Sequence, residues 1–303
     1  MTWTAFEVGV LARAVARAPS VHQTQPWVLE PAGDAVELFE RPELGLPRHD
    51  ATGRDRLISC GAALANLELG VLTQGKTASV LLLPEPETPE LLARVRATGP
   101  REVTEAEAEQ YSAIFRRHSY RSPFSRSPLP ASRLRSLAAS AAIPDVRVRV
   151  VDRRRESAPL AKLLSDAAKV LHDDADYQRE LAAWVPRFPE RLPEGSSLPW
   201  AGLVRADTRL PDVLTIAQRL EDEGLLVFVT DGDARRDRVL AGSAMQRTWL
   251  TAITDGLVAS VLTQPLHVEG VRAGLRDSLG ITGFPQLILR LGYPASRHMP
   301  LVG

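Results

Sequence analysis

The spacing of apolar and polar residues predicts a chain in which helices alternate with short strands. Apolar residues recur at every third or fourth position in the predicted helices, and they form short continuous or alternating runs in the predicted strands. Over residues 1–100 this pattern predicts helices up to residue 17 and over 58–73 and 89–95, with strands over 25–29, 36–39 and 79–83. A glycine-proline pair at 99–100 then predicts a break.

The same alternation continues in the rest of the chain. Helices are predicted over 105–117, 132–141, 158–173, 177–184, 238–254 and 271–278. Strands are predicted over 146–151, 226–230, 260–263 and 286–291. Alternating helices and short strands of this kind are typical of an α+β architecture.

One segment of the first part recurs in the second. Residues 61–84 align without a gap on residues 242–265, and ten of the twenty-four positions are identical. A repeat spaced by 181 residues is too long for a solenoid unit. We therefore predict two fused copies of one small domain, arranged as the subunits of a homodimer would be. The predicted halves are residues 1–100 and 101–303, each with a small sheet flanked by helices.

The second half contains an insertion without a counterpart in the first. Residues 185–211 contain five prolines and two glycines. A proline-rich insertion of this length indicates a lid over a site as readily as a plain surface loop.

Charge and composition narrow the function classes. The chain has 303 residues, and its 37 lysines and arginines balance 37 aspartates and glutamates. Without a global electric field we predict no nucleic-acid partner and no anionic membrane partner. Its first residues have the pattern of an amphipathic helix rather than a signal peptide, and no apolar run is expected to span a membrane. These features predict a cytoplasmic protein.

The cysteine, histidines, serines and carboxylates show few local patterns that are typical of a catalytic or metal site. Cys60 is the single cysteine and lies in an apolar run, which predicts a buried small side chain and excludes an internal disulfide framework. No cysteine and histidine spacing indicates zinc. Paired carboxylates or a Ser-His-Asp order are not indicated either, so we predict no catalytic side chain and assign the reaction to a cofactor.

A basic segment follows the helix predicted over 105–117. Arg117, His118, Ser119 and Arg121 lie where that helix ends. Guanidinium groups bind phosphate oxygens in pairs, and a serine adds a further donor, so this segment is a candidate phosphate clamp. Basic residues at a helix end also complement the helix dipole, which is the alternative explanation.

Together with the segment at 19–27, these residues resemble the FMN-dependent nitroreductase family. The resemblance implies that one segment grips the flavin phosphate, that another lies along the flavin, and that a strand end passes flavin N5. The phosphate residues would be Arg117, His118, Ser119, Arg121 and Arg297, those along the flavin Pro19, Ser20, Gln23 and Gln25, and those at the strand end Leu262, Thr263 and Gln264. Gln23 stands where the family has asparagine.

The duplicated form resembles the Acg-type branch of that family, known from mycobacteria and other actinobacteria. The shared runs lie at residues 20–27 and 54–64. The first half has the segment that would lie along the flavin, and only the second half has the clamp. One FMN per chain follows, in a monomer that mimics a homodimer.

The implied activity is hydride transfer at flavin N5, to or from a small-molecule substrate held under the lid. NAD(P)H is a possible donor, but it needs an uncovered flavin face and cationic surface, which a lid would deny. Two alternatives stay open. The protein could store FMN without turnover, or it could be a dehydrogenase that tailors a peptide or natural product.

Other polar residues near these motifs have two readings. His22, next to Gln23, could donate a proton, although histidines in such loops more often bind the backbone. Arg54 and Asp50 could touch the flavin or brace the linker, and we favour bracing. Glu180 and Trp184 could contact the flavin ring or pack a helix.

Overall fold

Two four-stranded antiparallel sheets, each flanked by helices, make up the computed structural model, which describes residues 3–184, 204–206, 208 and 210–295. The first sheet contains β1 (Trp27–Ala32), β2 (Ala35–Glu40), β3 (Lys76–Leu82) and β4 (Leu91–Pro100). The second contains β5 (Val146–Val150), β6 (Gly224–Thr230), β7 (Val258–Leu262) and β8 (Phe284–Gly292). The predicted α+β class is confirmed.

The helices in the described part pack around and between these sheets. They are α1 (Ala5–Val15), α2 (Arg54–Thr73), α3 (Glu105–Arg116), α4 (Ala131–Ala139), α5 (Arg153–Asp173), α6 (Ala175–Trp184), α7 (Val213–Asp222), α8 (Arg235–Thr254) and α9 (Val271–Leu279). Capping boxes fix the starts of α1 and α3, where Thr4 and Thr104 accept hydrogen bonds from the backbone three residues later.

Both sheets have the same topology. The strand order is β1-β2-β4-β3 in one and β5-β6-β8-β7 in the other, so each strand of the first sheet has its counterpart in the second. The helices α2 and α8 are both 20 residues long, and their first residues are separated by the 181-residue spacing of the repeat. The predicted duplication is therefore present in the fold. The domain boundary at residue 100 stays a prediction. In the structure β4 ends at Pro100 and α3 begins at Glu105.

The two halves meet where α2 crosses α8. A Cβ atom on Gly61 would lie 2.0 Å from the carbonyl oxygen of Val239, and one on Gly242 would lie 2.0 Å from that of Ile58. The two contacts are equivalent, since the 181-residue spacing relates Gly61 to Gly242 and Ile58 to Val239. This reciprocal contact is what a twofold axis between two copies produces, and it requires glycine because the backbones touch.

The helix predicted over 89–95 is wrong, because this segment belongs to strand β4. β4 pairs with β2 on one side and with β3 on the other. Along the strand Val95 is buried while Arg94 and Arg96 point away from the core, which is the period of a strand. Arg94 Nε donates to Glu37 Oε1 on β2 at 2.5 Å. Pairing with two neighbours overrides the weak local helical pattern.

The sheets differ in how many of their faces are covered. Every residue of β6 is buried: Leu226 and Phe228 join the core shared by both halves, while Leu225 and Val227 join a second core formed with α5, α7 and α9. In the first sheet β3 alternates exposed and half-buried residues, so one face is open. The predicted lid at 185–211 lies mostly outside the described residues.

Contrary to expectation, one helix has the length and composition of a membrane span. This helix is α2, and most of its apolar window is buried inside the protein, as is usual for a central core helix. Cys60 lies on it, fully buried as predicted, with Sγ 3.2 Å from the carbonyl oxygen of Pro26, and burial raises the pKa of its thiol.

Candidate functional site

A cleft with two joined compartments lies where the loop after α1 meets the segment after α3 and the end of β7. The inner compartment has a cavity volume of about 110 Å³ and the outer one of about 380 Å³. Residues of both halves contribute to each compartment, so the cleft lies between the two halves.

Most of the residues predicted for the cofactor line this cleft. They are Pro19, Ser20, Gln23, Gln25, Arg117, His118, Ser119, Arg121, Thr263 and Gln264. Leu262 is different, because its fully buried side chain belongs to the apolar core beneath the second sheet. Only its backbone could reach a ligand. Arg297 lies outside the described residues.

The loop from the first half has a constrained backbone. A short 3₁₀ helix, Val21–Gln23, is followed by a tight turn, and φ is positive at His22 (44°), Gln23 (56°) and Gln25 (47°). Ser20 Oγ accepts a hydrogen bond from the backbone N–H of Gln25 at 3.1 Å, which closes the turn. Such conformations cost roughly 1–3 kcal/mol each in residues other than glycine, and they concentrate at functional sites.

The segment from the second half is aligned against a strand edge. Ser119 forms a parallel bridge with Ala259 of β7, and the backbone N–H of Tyr120 donates to the carbonyl of Ala259 at 2.8 Å. This pairing fixes Arg117 and Arg121 on either side of Ser119 and turns both toward the outer compartment.

Three arginines and no carboxylate line the outer compartment in the part of the chain that the structure describes. They are Arg17, Arg117 and Arg121. Arg117 Nη2 donates to the carbonyl of Arg17 at 3.2 Å, and its guanidinium lies 4.6 Å from the ring centroid of Trp249. Burial, and then Arg17 and Arg121, lower the pKa of Arg117 to about 10. Two arginines that lower the pKa of a third in this way favour a bound anion.

Arg17 was missed by sequence reasoning. It follows the C-terminal end of α1, where a basic residue ordinarily complements the helix dipole, so its position gave no distinct signal. Only the fold shows that it faces the clamp residues, which lie 100 positions later in the chain.

Asp55 is the centre of a buried polar cluster beside the inner compartment. Its side chain is 2% exposed, and its oxygens lie 3.3 Å from His49 Nε2 and 3.0 Å from His267 Nε2. It also accepts a hydrogen bond from Thr263 Oγ1. Burial alone would raise the pKa of Asp55, but His267, His49 and Arg54 together hold it well below its usual value.

Arg54 and Asp50 brace the backbone around this cluster. Arg54 Nη2 donates to the carbonyl of Thr263 at 2.9 Å, and Nη1 donates to that of Gln286 at 3.2 Å. Asp50 accepts hydrogen bonds from the backbone N–H groups of Asp55 and Arg56, at 3.1 and 2.8 Å. Asp50 thus caps α2, whose first flanking residue, a glycine, has no side chain to do so.

Glu180 holds the loop before α2. Its carboxylate accepts hydrogen bonds from the backbone N–H groups of Arg48 and His49, at 3.1 and 2.7 Å. This contact joins α6 to the first half and fixes where His49 stands. In these contacts Glu180 packs a helix rather than lining the cleft.

His49, Asp55 and His267 could be taken for a metal site. One ligand atom from each lies within 4.8 Å of the others. Arg54 Nη2, however, lies 3.3 Å from Asp55 Oδ1 and 3.2 Å from His267 Nε2. Since a guanidinium already stands against two of the three ligand atoms, we read the cluster as a hydrogen-bonded network.

Gln264 lines the inner compartment with a buried side-chain amide. It is 2% exposed, and neither Nε2 nor Oε1 has a hydrogen-bond partner in the described part of the chain. A buried amide without partners carries a desolvation penalty, so its position beside the cleft indicates a ligand. Met245 and Trp249 of α8 add apolar surface to the same compartment.

Comparison with known proteins decides the family. No protein-family model matches the chain. The protein Rv3131 of Mycobacterium tuberculosis, provisionally named an NAD(P)H nitroreductase, is 32% identical over 302 residues, covering 96% of this chain and 86% of the relative. The chain belongs to the nitroreductase family. The protein acg of the same organism, with the same provisional name, is 29% identical over 297 residues, covering 94% and 88%.

Solved structures agree with this nitroreductase fold. A protein from Anabaena variabilis described as a nitroreductase superposes with a TM-score of 0.50 at 11% identity, covering 92% of this chain and 82% of its own. The FMN-dependent nitroreductase NfnB from Mycobacterium smegmatis, in complex with NADPH, gives a TM-score of 0.41 at 15% identity, covering 63% and 89%. The second similarity is too weak to transfer a ligand position. The resemblance to the nitroreductases and their Acg-type branch is thus confirmed, and this nitroreductase-family chain is an oxidoreductase.

Proposed function

We propose that this nitroreductase-family protein holds one FMN per chain in the cleft and transfers hydride between flavin N5 and a small organic substrate. Membership of the family supplies the reaction class. The cofactor, its position and its stoichiometry rest on the chemistry of the cleft.

The observation that carries the proposal is the contrast between the two joined compartments. Among the described residues, three arginines and no carboxylate line the outer compartment, and the inner one combines apolar side chains of α8 with polar ones that include a buried amide without a partner. Pro19, Ser20, Ser119 and Arg121 line both, so one ligand can extend through them. A molecule with a phosphate at one end and a flat, polar-edged ring at the other fits this arrangement.

The orphaned polar atoms match the groups of FMN. Arg117 Nε and Nη1 are buried without a hydrogen-bond partner in the described residues, and both can donate to phosphate oxygens. Gln264 offers a donor and an acceptor to a flavin edge. These residues therefore fit the cofactor, with Arg17, Arg117, Arg121 and Ser119 holding the phosphate.

Bound FMN would supply hydride chemistry, and the chain would position it and exclude water. Arg54 and Asp55 fix Thr263 through its carbonyl and hydroxyl, so the end of β7 is a rigid edge beside the ring. Trp249 and Met245 contribute apolar surface against which a ring can pack. One set of clamp arginines and one such edge are consistent with a single FMN per chain in a monomer.

Flavin content tests this proposal. We expect about one FMN per chain in the purified protein, and a loss of roughly 10- to 100-fold in affinity for Arg117→Ala and for Arg121→Ala, since a charge-assisted hydrogen bond contributes about 1.5–3 kcal/mol. Arg116→Ala is the matched control, because this neighbour is exposed and does not line the cleft. Stoichiometric FMN in the double variant Arg117→Ala/Arg121→Ala would place the phosphate elsewhere.

Turnover separates the oxidoreductase from an FMN store. The name of the relatives supports NAD(P)H as the donor, so we expect anaerobic NADH or NADPH to bleach the visible flavin absorbance. Bleaching by dithionite alone would favour storage, or a donor other than NAD(P)H.

The sequence predicts that the insertion at 185–211 acts as a lid. Deleting this insertion and measuring the rate at which NADH or NADPH bleaches the flavin tests the prediction.

A further inference from the structure

The geometry points to a proton relay, formed by His22, His49 and Asp55, that ends at the wall of the cleft and exchanges a proton with the substrate. The inference rests on the proposed function, because the proton accompanies hydride transfer to or from the flavin. None of the three residues belongs to the predicted phosphate clamp or to the residues predicted to lie along the flavin.

The three side chains form a continuous line. His22 Nε2 lies 3.2 Å from His49 Nδ1, and His49 Nε2 lies 3.3 Å from Asp55 Oδ2. The two imidazole rings meet edge to face, with centroids 4.5 Å apart. All three side chains line the inner compartment, and His22 lines the outer one as well. His22 is 7%, His49 5% and Asp55 2% exposed, so the line runs along the cleft wall and becomes more buried toward Asp55.

Hydrogen-bond chemistry gives this line a direction. An ionised carboxylate only accepts, so His49 Nε2 carries the proton that faces Asp55. Neutral His49 then presents a lone pair at Nδ1, and His22 donates its Nε2 proton to it. His22 consequently exchanges protons with the cleft at Nδ1, its other ring nitrogen.

The proton transfer balances in both directions. When a substrate loses hydride to the flavin, its remaining proton bonds to His22 Nδ1, and the His22 Nε2–H bond breaks as that proton passes to His49 Nδ1. The products are neutral His22 and an imidazolium at His49, paired with the Asp55 carboxylate. In the reverse direction the His49 proton returns to His22 Nε2, and His22 Nδ1 protonates an acceptor that receives hydride from reduced flavin.

The surroundings decide where the extra proton rests. Burial first, then His49 and Arg121, lower the pKa of His22 to about 3, so a proton does not stay on His22. Asp55 Oδ2 lies 3.3 Å from Nε2 of His49, the next imidazole of the line. The titratable and charged groups around the relay are Asp50, Arg54, Arg121, Tyr177, Glu180 and His267.

Two acceptors, of which only one takes up a proton, test the relay. A quinone takes up hydride and a proton, whereas ferricyanide takes single electrons and no proton. We reduce the FMN-loaded protein with dithionite and follow reoxidation by each acceptor in His22→Gln and His49→Gln, in which the glutamine amide keeps a hydrogen bond without passing a proton. Reoxidation by quinone should slow by about 10²- to 10⁴-fold, the usual share of general acid catalysis. Reoxidation by ferricyanide and flavin content should stay within about twofold.

His172→Gln is the matched control. His172 pairs with Asp173 at 2.9 Å but does not line the cleft, so both rates should be unchanged. Equal slowing with quinone and ferricyanide in the relay variants would mean that His22 and His49 act structurally, and an unchanged quinone rate would mean that they carry no proton. Either result overturns the relay.

Histidine tautomers provide a readout that does not depend on flavin. In ¹⁵N-labelled protein the ring nitrogen shifts should show both His22 and His49 protonated at Nε2. A proton on Nδ1 of His49 would contradict the relay even if FMN binds as proposed. Protein without FMN but with these tautomers would reject the proposed function and leave the hydrogen-bonded line intact.

Discussion

Equivalent positions at the starts of α2 and α8 have diverged in this protein. Arg54 begins α2 and Arg235 begins α8, and each reaches across to the backbone of the other half, Arg54 to Gln286 and Arg235 to Pro89. The next residue differs. Asp55 is buried and organises the polar cluster beside the cleft, whereas its counterpart Arg236 is on the surface, paired with Asp145 at 3.0 Å.

The strand ends differ in the same way. Thr263 and Gln264, after β7, offer a hydroxyl and an amide to the cleft. Their counterparts, Leu82 and Leu83, pack against the shared apolar core. The scaffold contacts that hold the halves together were thus retained twice, while the polar groups of a site were retained once. In this protein the duplication has preserved symmetry where backbones touch and lost it among the polar groups that line the cleft.

The substitutions expected to have the largest effect on stability lie at the crossing of α2 and α8, where the two halves are equivalent. Gly61→Ala and Gly242→Ala each place a Cβ atom 2.0 Å from a carbonyl oxygen, so the helices must separate. We expect each to lower the free energy of unfolding by about 3 kcal/mol or more, measured by urea denaturation. Gly9→Ala is the control, since a Cβ there meets nothing within 4 Å, and it should stabilise α1 by up to about 1 kcal/mol. A large effect at only one of the two crossing glycines would contradict the twofold arrangement.

The two arginines are expected to contribute unequally to stability. Arg54→Met removes a guanidinium that is 2% exposed and leaves the Asp55 carboxylate poorly compensated, so we expect a loss of about 3–5 kcal/mol in unfolding free energy and weaker FMN binding. Arg235→Met removes a guanidinium that is 40% exposed, and Glu40 keeps Arg56 as a partner at 2.5 Å. Its effect should be at most about 1 kcal/mol, with normal flavin content. Equal flavin loss in the two variants would show that the halves have not diverged as described.

The sequence predicted the fold well where the informative pattern lay within one continuous segment. The repeat contains both crossing glycines, so it predicted the shared topology directly. The strand β4 was missed because its apolar pattern is ambiguous over a few residues, and only pairing with β2 and β3 selects the strand. A short stretch of sequence does not show which strands will pair with it in the fold.

The site shows the same limit. The clamp and the loop at 19–25 are short continuous motifs, so they could be recognised before the structure was known. The cluster around Asp55 could not, because His49 and His267 are more than two hundred residues apart and meet only through the fold. His22 was suspected as a proton donor but was expected to bind the backbone, whereas its Nε2 lies against His49 Nδ1.

The smallest effect on stability is expected in its acid dependence, and it comes from the polar groups beside the cleft. Burial first, then His49 and Arg121, lower the pKa of His22 from its ordinary 6.5 to about 3. Between these values the unfolded chain binds a proton that the folded protein does not, so stability falls as pH falls from 6.5 toward 3. His22→Gln removes this difference. Between pH 6 and pH 5 the variant should lose about 1 kcal/mol less unfolding free energy than the unaltered protein, measured by urea denaturation at each pH.

His172 provides a control of opposite sign. Its hydrogen bond to Asp173 raises its pKa, so any stability it contributes is present at low pH and is lost as pH rises through the folded value. His172→Gln should therefore not flatten the acid limb. If His22→Gln and the unaltered protein lose stability in parallel below pH 6.5, His22 takes up a proton as easily in the folded state as in the unfolded chain. The proton would then stay at the cleft wall instead of passing to His49, and the polar groups that distinguish the two halves would not function as a relay.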